Sequence, residues 1–118
     1  MRTWICHLTE RIARAHHASK FKLAAVVASG SRILAVGVNY ERPHVTGQPT
    51  SIHAENSALR QLSSETKGDI YVCRILANGG LALAKPCPLC QQRIFKAGIS
   101  SVFYSDSNGW QSEGRYTC

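Results

Sequence analysis

Leu23-Ala24-Ala25-Val26-Val27-Ala28, then Ser29-Gly30-Ser31, then Ile33-Leu34-Ala35-Val36-Gly37-Val38, is the stretch that decides the fold. Two short apolar runs joined by a small polar turn with a central glycine predict a β-hairpin with largely buried strands. Upstream, Ile5, Leu8, Ile12 and Ala15 recur at helical spacing in a polar segment, so residues 3–18 read as an amphipathic helix. Downstream, residues 40–50 carry Pro43, Gly47 and Pro49 and read as a loop. A second helix is expected from about Ser51, a suitable N-cap, to Ser63 or Ser64, with Ala54, Ala58 and Leu62 on one face and Leu59 beside them. Asp69 to Leu76 reads as a strand, and Asn78-Gly79-Gly80 as a turn. A third helix starts at Cys87 or Pro88 and buries Ile94 and Ala97 before Gly98 stops it. Ile99 to Tyr104 forms the next strand, Ser105 to Gly109 turns, and the tail has room for one more short strand. A hairpin followed by helix–strand alternation predicts a three-layer α/β/α fold with a mixed sheet of about five strands.

The bulk properties frame this as one domain spanning residues 1–118, long enough for a hydrophobic core without staples. No apolar run approaches the roughly 20 residues of a membrane helix. The opening Met1-Arg2-Thr3-Trp4 leads into a charged amphipathic stretch instead of a signal peptide's apolar core, so a cytoplasmic location without membrane contact is expected. Five cysteines (Cys6, Cys73, Cys87, Cys90 and Cys118), an odd number with no export signal, favour reduced thiols over a disulfide framework. Fourteen Lys+Arg against seven Asp+Glu give a formal charge of +7, which suits an anionic partner such as a nucleotide phosphate or a nucleic-acid backbone.

Chemistry is concentrated in His53-Ala54-Glu55 and Pro86-Cys87-Pro88-Leu89-Cys90. Cys87 and Cys90 lie three apart across a predicted helix start, so both sulfurs can meet one ion from the same side. Pro88 suits the first helical turn, and a helix start favours thiolate over thiol. His53 and Glu55 lie two apart, and at a helix's first turn both can reach a site off its end. Two helix starts would then present one imidazole and two thiolates to one zinc ion, with the fourth position open as in catalytic sites. Glu55 is not needed as a ligand and is placed to move protons for a metal-activated water. Alone, the cysteine pair also fits a redox motif, and His-x-Glu alone fits a surface accident. A structural zinc knuckle needs a fourth ligand, and Cys6, Cys73, Cys118, His7, His16, His17 and His44 all lie away from zinc-finger spacing.

Together the two pieces match the zinc-dependent nucleobase deaminase signature, H-x-E followed by P-C-x-x-C. Gly37-Val38-Asn39 after the second strand, Ser51-Ile52 before the histidine, and Ala97-Gly98-Ile99 into Val102-Phe103-Tyr104 extend the likeness. Over roughly residues 3–105 the chain resembles the cytidine/deoxycytidylate deaminase superfamily and its fold. The resemblance implies His53, Cys87 and Cys90 as zinc ligands, Glu55 as proton shuttle, and the backbone N–H of Ala54 as a contact to the base. It also implies a sugar or base contact for Asn39, a position that equally suits a turn residue after a strand. The implied reaction is attack of activated water at C4 of cytosine, or C6 of adenine, with release of ammonia.

Three subgroups share this signature. A cytidine or deoxycytidine nucleoside or nucleotide substrate, deoxycytidylate-like, fits the compact chain best; Arg42, His44 or Lys85 could meet a 5′-phosphate, positions that equally suit solvated loop residues. Single-strand polynucleotide cytosine deaminases come second. The charge and the aromatics Phe103, Tyr104 and Trp110 speak for them, although Phe103 reads more readily as strand core, which leaves Tyr104 and Trp110 the more open of the three. They commonly have Ser before the Pro-Cys and further helices, where this chain has Lys85 and only residues 106–118. Transfer-RNA-type adenosine deaminases, with Glu at that position and a helical extension, come third. A zinc-stabilised binding module is the non-enzymatic alternative, and the unliganded Glu55 speaks against it. Relatives commonly assemble so that neighbours close each other's pockets, which implies a homo-oligomer.

Overall fold

A computed structural model describes residues 1–16, 22–43, 49–63 and 67–114, with backbone alone for 40–43, 49–52 and 114. The helix α1 (Thr3–Ala15) is followed by β1 (Lys22–Ser29) and β2 (Arg32–Val38), the expected hairpin. Its turn holds Gly30 at φ +61, a left-handed conformation that favours glycine. Next come β3 (Tyr40–Pro43), β4 (Pro49–Ile52) and the short helix α2 (Ala54–Leu59). Then follow β5 (Gly68–Ile75), β6 (Leu81–Ala82), α3 (Pro88–Lys96), β7 (Ile99–Asp106) and β8 (Gly109–Gly114).

The main sheet runs β2-β1-β5-β7-β8, with β6 paired to the end of β5. All its pairs are antiparallel except β5 with β7, which the helix α3 connects. A parallel pair requires a crossover, and α3 supplies it.

Alternation along the central strands creates two cores. Ala25 and Val27 of β1, with Ile70 and Val72 of β5, pack beneath α2 and α3 together with Ala54, Ala58 and Ile94. The intervening Ala24, Val26, Ala28, Tyr71, Cys73 and Ile75 face the other way, onto Ile5, Cys6 and Ala13 of α1. The α1 start is tied to this layer by Arg2 N–H donating to the Tyr71 hydroxyl at 3.0 Å. The three-layer α/β/α order is therefore as expected, with six strands in the main sheet among the described residues. No helix among the described residues is long and apolar enough to cross a membrane.

Three local expectations are corrected. Part of the expected loop over residues 40–50 is strand: β3 and β4 pair from Tyr40↔Ile52 to Pro43↔Pro49 as a separate ladder, and residues 44–48 lie outside the described residues. That pairing commits Ser51 to a strand, so it cannot cap α2; His53, extended at φ −72 and ψ 146, takes the N-cap position. The helix is shorter than predicted, ending at Leu59 with Arg60 as C-cap. Ala97 is the C-cap of α3 and only partly buried. Residues 17 and 18 at the end of the first predicted helix, Ser64, His17, His44 and Cys118 lie outside the described residues.

Candidate zinc centre and its cleft

Two helix starts meet at one place. His53 is the N-cap of α2 and its carbonyl accepts the first intrahelical bond, from Ser57 N–H at 3.1 Å. Cys87 occupies the same position on α3, its carbonyl accepting from Gln91 N–H at 2.9 Å. Pro88 takes the first helical position, where no N–H is needed. The Gln91 side chain reaches back to the Pro86 carbonyl at 2.9 Å, fixing the approach to the helix.

What brings α2 to this place is a glycine on β2. A Cβ at Gly37 would lie 2.5 Å from both the Ala54 carbonyl oxygen and the Ala58 nitrogen. Only a residue without a side chain lets the helix backbone rest directly on the strand. Ala54 and Ala58, both fully buried, complete that close approach.

The ligand atoms of His53, Cys87 and Cys90 all lie within 4.8 Å of one another. His53 Nδ1 stands 3.2 Å from Cys90 Sγ. Zinc–nitrogen bonds near 2.0–2.1 Å and zinc–sulfur bonds near 2.3 Å imply ligand separations of roughly 3.5 Å, so the set fits tetrahedral zinc. A set of two thiolates and one imidazole is also the donor chemistry zinc prefers. The two thiols are not equivalent. The Cys90 backbone N–H, first, and then the Cys90 thiol and Leu89 N–H stabilise the Cys87 thiolate, holding it below the ordinary thiol value. Burial, with the neighbouring Cys87 and Glu55, pushes Cys90 up to about 12. A bound dication reverses that penalty and holds both as thiolates.

Glu55 lies one residue into α2 and is only 7% exposed. Burial raises its carboxyl above the usual carboxylate range, while its own backbone N–H, His53 and the Cys90 thiol pull the other way. A carboxyl tuned upward is suited to both accept and release a proton near neutral pH.

The centre opens into a cleft of about 290 Å³ lined by Leu23, His53, Glu55, Arg74, Leu83, Ala84, Lys85 and Cys87. This is at the small end of small-molecule sites. Lys85 is also within 3.3 Å of Glu113 as an ion pair. Asn39 is tied to the lining residue Leu23: its Oδ1 accepts from Leu23 N–H at 2.9 Å, and its carbonyl meets His16 Nε2 at 2.5 Å. Ala54 is buried between the two site residues that flank it. Of the aromatics, Phe103 and Trp110 pack around Tyr71 on the α1 face, away from the centre, with ring centroids 4.8 and 6.3 Å from it. Tyr104 packs against the α2/α3-side core. The motifs of the sequence assign no role to Leu23, Arg74, Leu83 or Ala84. Their one sequence signal is the period of two along β5, which puts Arg74 on the same face as Ile70 and Val72.

Similarity to known proteins agrees with this geometry. The structure is similar to that of the dCMP deaminase of cyanophage S-TIM5 in complex with dCMP and dUMP, at 24% identity and TM-score 0.64, over 88% of this chain and 82% of that one. It is similar to cytidine deaminase from Mycobacterium leprae, at 20% identity and TM-score 0.60, over 95% and 94%. For cytidine deaminase from Mycobacterium tuberculosis the values are 19% and 0.59, over 94% and 90%. Comparison with curated protein sequences gave no match. The family model for the cytidine and deoxycytidylate deaminase zinc-binding region matches residues 2–106. With a donor set that fits zinc and a likeness spanning nearly the whole chain, this protein belongs to the cytidine and deoxycytidylate deaminase zinc-binding family.

Proposed function

We propose that this chain is a hydrolytic deaminase converting cytosine to uracil in a cytidine or deoxycytidine nucleoside or nucleotide. The observation that carries the reading is Glu55, a buried carboxyl beside a three-ligand metal centre and open to the same cleft. A bound zinc ion supplies Lewis-acid activation of water at neutral pH. His53, Cys87 and Cys90 would hold it. Glu55 accepts a proton from the attacking water and delivers it to the exocyclic nitrogen. The C4–N bond breaks as the C4–O bond is made, so cytosine and water give uracil and ammonia. The Ala54 N–H would orient the base, and Asn39 would act through Leu23 on the cleft wall or on the sugar.

The S-TIM5 relative was solved with dCMP and dUMP, a cytosine nucleotide and its uracil counterpart, which supports a small-molecule substrate here. Leu83 and Leu89, 58% and 56% exposed near the site, would be covered in a homo-oligomer. A monomeric mass by light scattering at working concentration argues against that assembly.

The test is turnover by the zinc-loaded protein of deoxycytidine, deoxycytidylate and a cytosine-containing single-stranded oligonucleotide, followed by ammonia release. Release from the free nucleoside or nucleotide is expected. Turnover of the oligonucleotide alone would make the protein a polynucleotide deaminase, and turnover of none would remove the enzymatic reading.

A further inference from the structure

Ile70 and Val72 are fully buried beneath α2 and α3, and the next residue on their face of β5 is Arg74. An aliphatic residue would continue the packing; here the strand instead carries a cation to the point where the core opens into the cleft. Leu23, directly across from Arg74 in the β1–β5 register, lines the same wall. His53, Glu55 and Cys87 line it too, so Arg74 shares one small cleft with the metal centre.

Hydrogen bonds through Ser105 tie the backbone at this point to its neighbours. Arg74 N–H donates to the Ser105 hydroxyl at 3.1 Å, and that fully buried hydroxyl donates to the Ala82 carbonyl at 2.8 Å. The Ser105 carbonyl in turn accepts from Ala84 N–H at 2.9 Å. One serine therefore sets Arg74 and the Ala82–Lys85 wall in a common frame.

Guanidinium is planar and weakly hydrated, and it presents a fork of donors that matches phosphate oxygens two at a time. We infer that Arg74 determines specificity for a 5′-phosphorylated cytosine nucleotide over the nucleoside, gripping the phosphate while the base occupies the metal centre. The inference rests on the deaminase reading of the cleft. A phosphate could also come from a polynucleotide backbone. The free mononucleotide is the better fit, because the cleft is small and Phe103 and Trp110 pack on the opposite face of the sheet.

Arg74→Met keeps the aliphatic stem against Leu23 and removes the charge, and Arg74→Lys restores a charge without the fork. Zinc content and thermal midpoint are measured for each, kcat/KM for deoxycytidine, deoxycytidylate and the oligonucleotide, and affinity for deoxyuridine and dUMP by calorimetry. In Arg74→Met we expect kcat/KM for deoxycytidylate and affinity for dUMP to fall roughly 10- to 100-fold, the scale of charged hydrogen bonds. The deoxycytidine and deoxyuridine values should stay within about twofold, and Arg74→Lys should recover part of the loss. Equal losses on nucleoside and nucleotide, or no loss on either, overturn the inference while leaving the deaminase reading intact. An Arg74-dependent loss confined to the oligonucleotide overturns it in favour of a backbone phosphate. Arg74-dependent dUMP binding in a protein without turnover supports Arg74 and overturns the deaminase reading alone.

Discussion

Cys87 and Cys90 sit three residues apart and meet opposite surroundings: the first is exposed and stabilised as thiolate by N–H donors, the second buried and held as thiol. The pair reads as a metal site because both sulfurs lie with a His53 ring nitrogen within 4.8 Å of one another, and a bound dication would hold both as thiolates. Replacing Cys90 by alanine leaves two protein ligands, below the three of an open catalytic zinc site. Zinc per chain, measured by elemental analysis after dialysis, should fall from about one to a small fraction of that. Retention of a full equivalent would show that other residues bind the ion. At this scale the sequence was largely legible. His53, Glu55, Cys87 and Cys90 are separable by spacing alone, and the structure brings the three ligands together beside the carboxyl. Arg74 was not legible, because its importance depends on the β1–β5 register, which sets Leu23 opposite it. Nothing local in Tyr71-Val72-Cys73-Arg74 reveals that register.

At the scale of elements, the placement of α2 decides whether His53 and Glu55 reach the centre at all. The hairpin, β5, α3 and β7 followed from periodicity and from glycine and proline signals. The start of α2 did not. Ser51 has the chemistry of an N-cap, but Tyr40–Pro43 pairs with Pro49–Ile52 and claims that backbone for a ladder. Pairing between two four-residue segments that are not adjacent in sequence leaves no local trace in either of them. The close approach of α2 to β2 depends on Gly37, where a methyl group would collide with the α2 backbone at Ala54 and Ala58. Gly37→Ala must therefore push α2 outward. Chemical denaturation should show a loss of at least about 1–3 kcal/mol, the usual cost of overpacking, with weaker zinc retention alongside. Unchanged stability and zinc content in this variant would mean that α2 is not held as described.

The whole molecule is a sheet with two unlike faces: α2, α3 and the zinc centre on one, α1 with Cys6, Cys73, Tyr71 and Trp110 on the other. This division was legible as three layers, because a hairpin with both strands apolar must be covered on both sides. The second face has its own pH signature. Burial, chiefly, raises Cys6 to about 11 and Cys73 to about 12, both above the ordinary thiol. Below the ordinary thiol value near 8.5, folded and unfolded chains hold these protons equally. Above it the unfolded chain releases them first, so the stability from these thiols is complete at neutral pH and is lost as pH rises towards 11 and 12. Denaturation midpoints taken from pH 8 upward should fall, and in Cys73→Ala they should start lower, from the lost packing, but fall less steeply. Parallel slopes in the two proteins would remove Cys73 from the account.

The two faces are joined by one chemical claim, that a sheet built for packing also carries a zinc-dependent deaminase with Glu55 as its proton carrier. Glu55→Gln tests it most directly, with zinc content and cytosine-to-uracil turnover measured on the same preparation. We predict about one zinc per chain in both proteins, with turnover lower in Glu55→Gln by roughly 10²- to 10⁴-fold. Full activity in Glu55→Gln with its zinc in place would contradict the account.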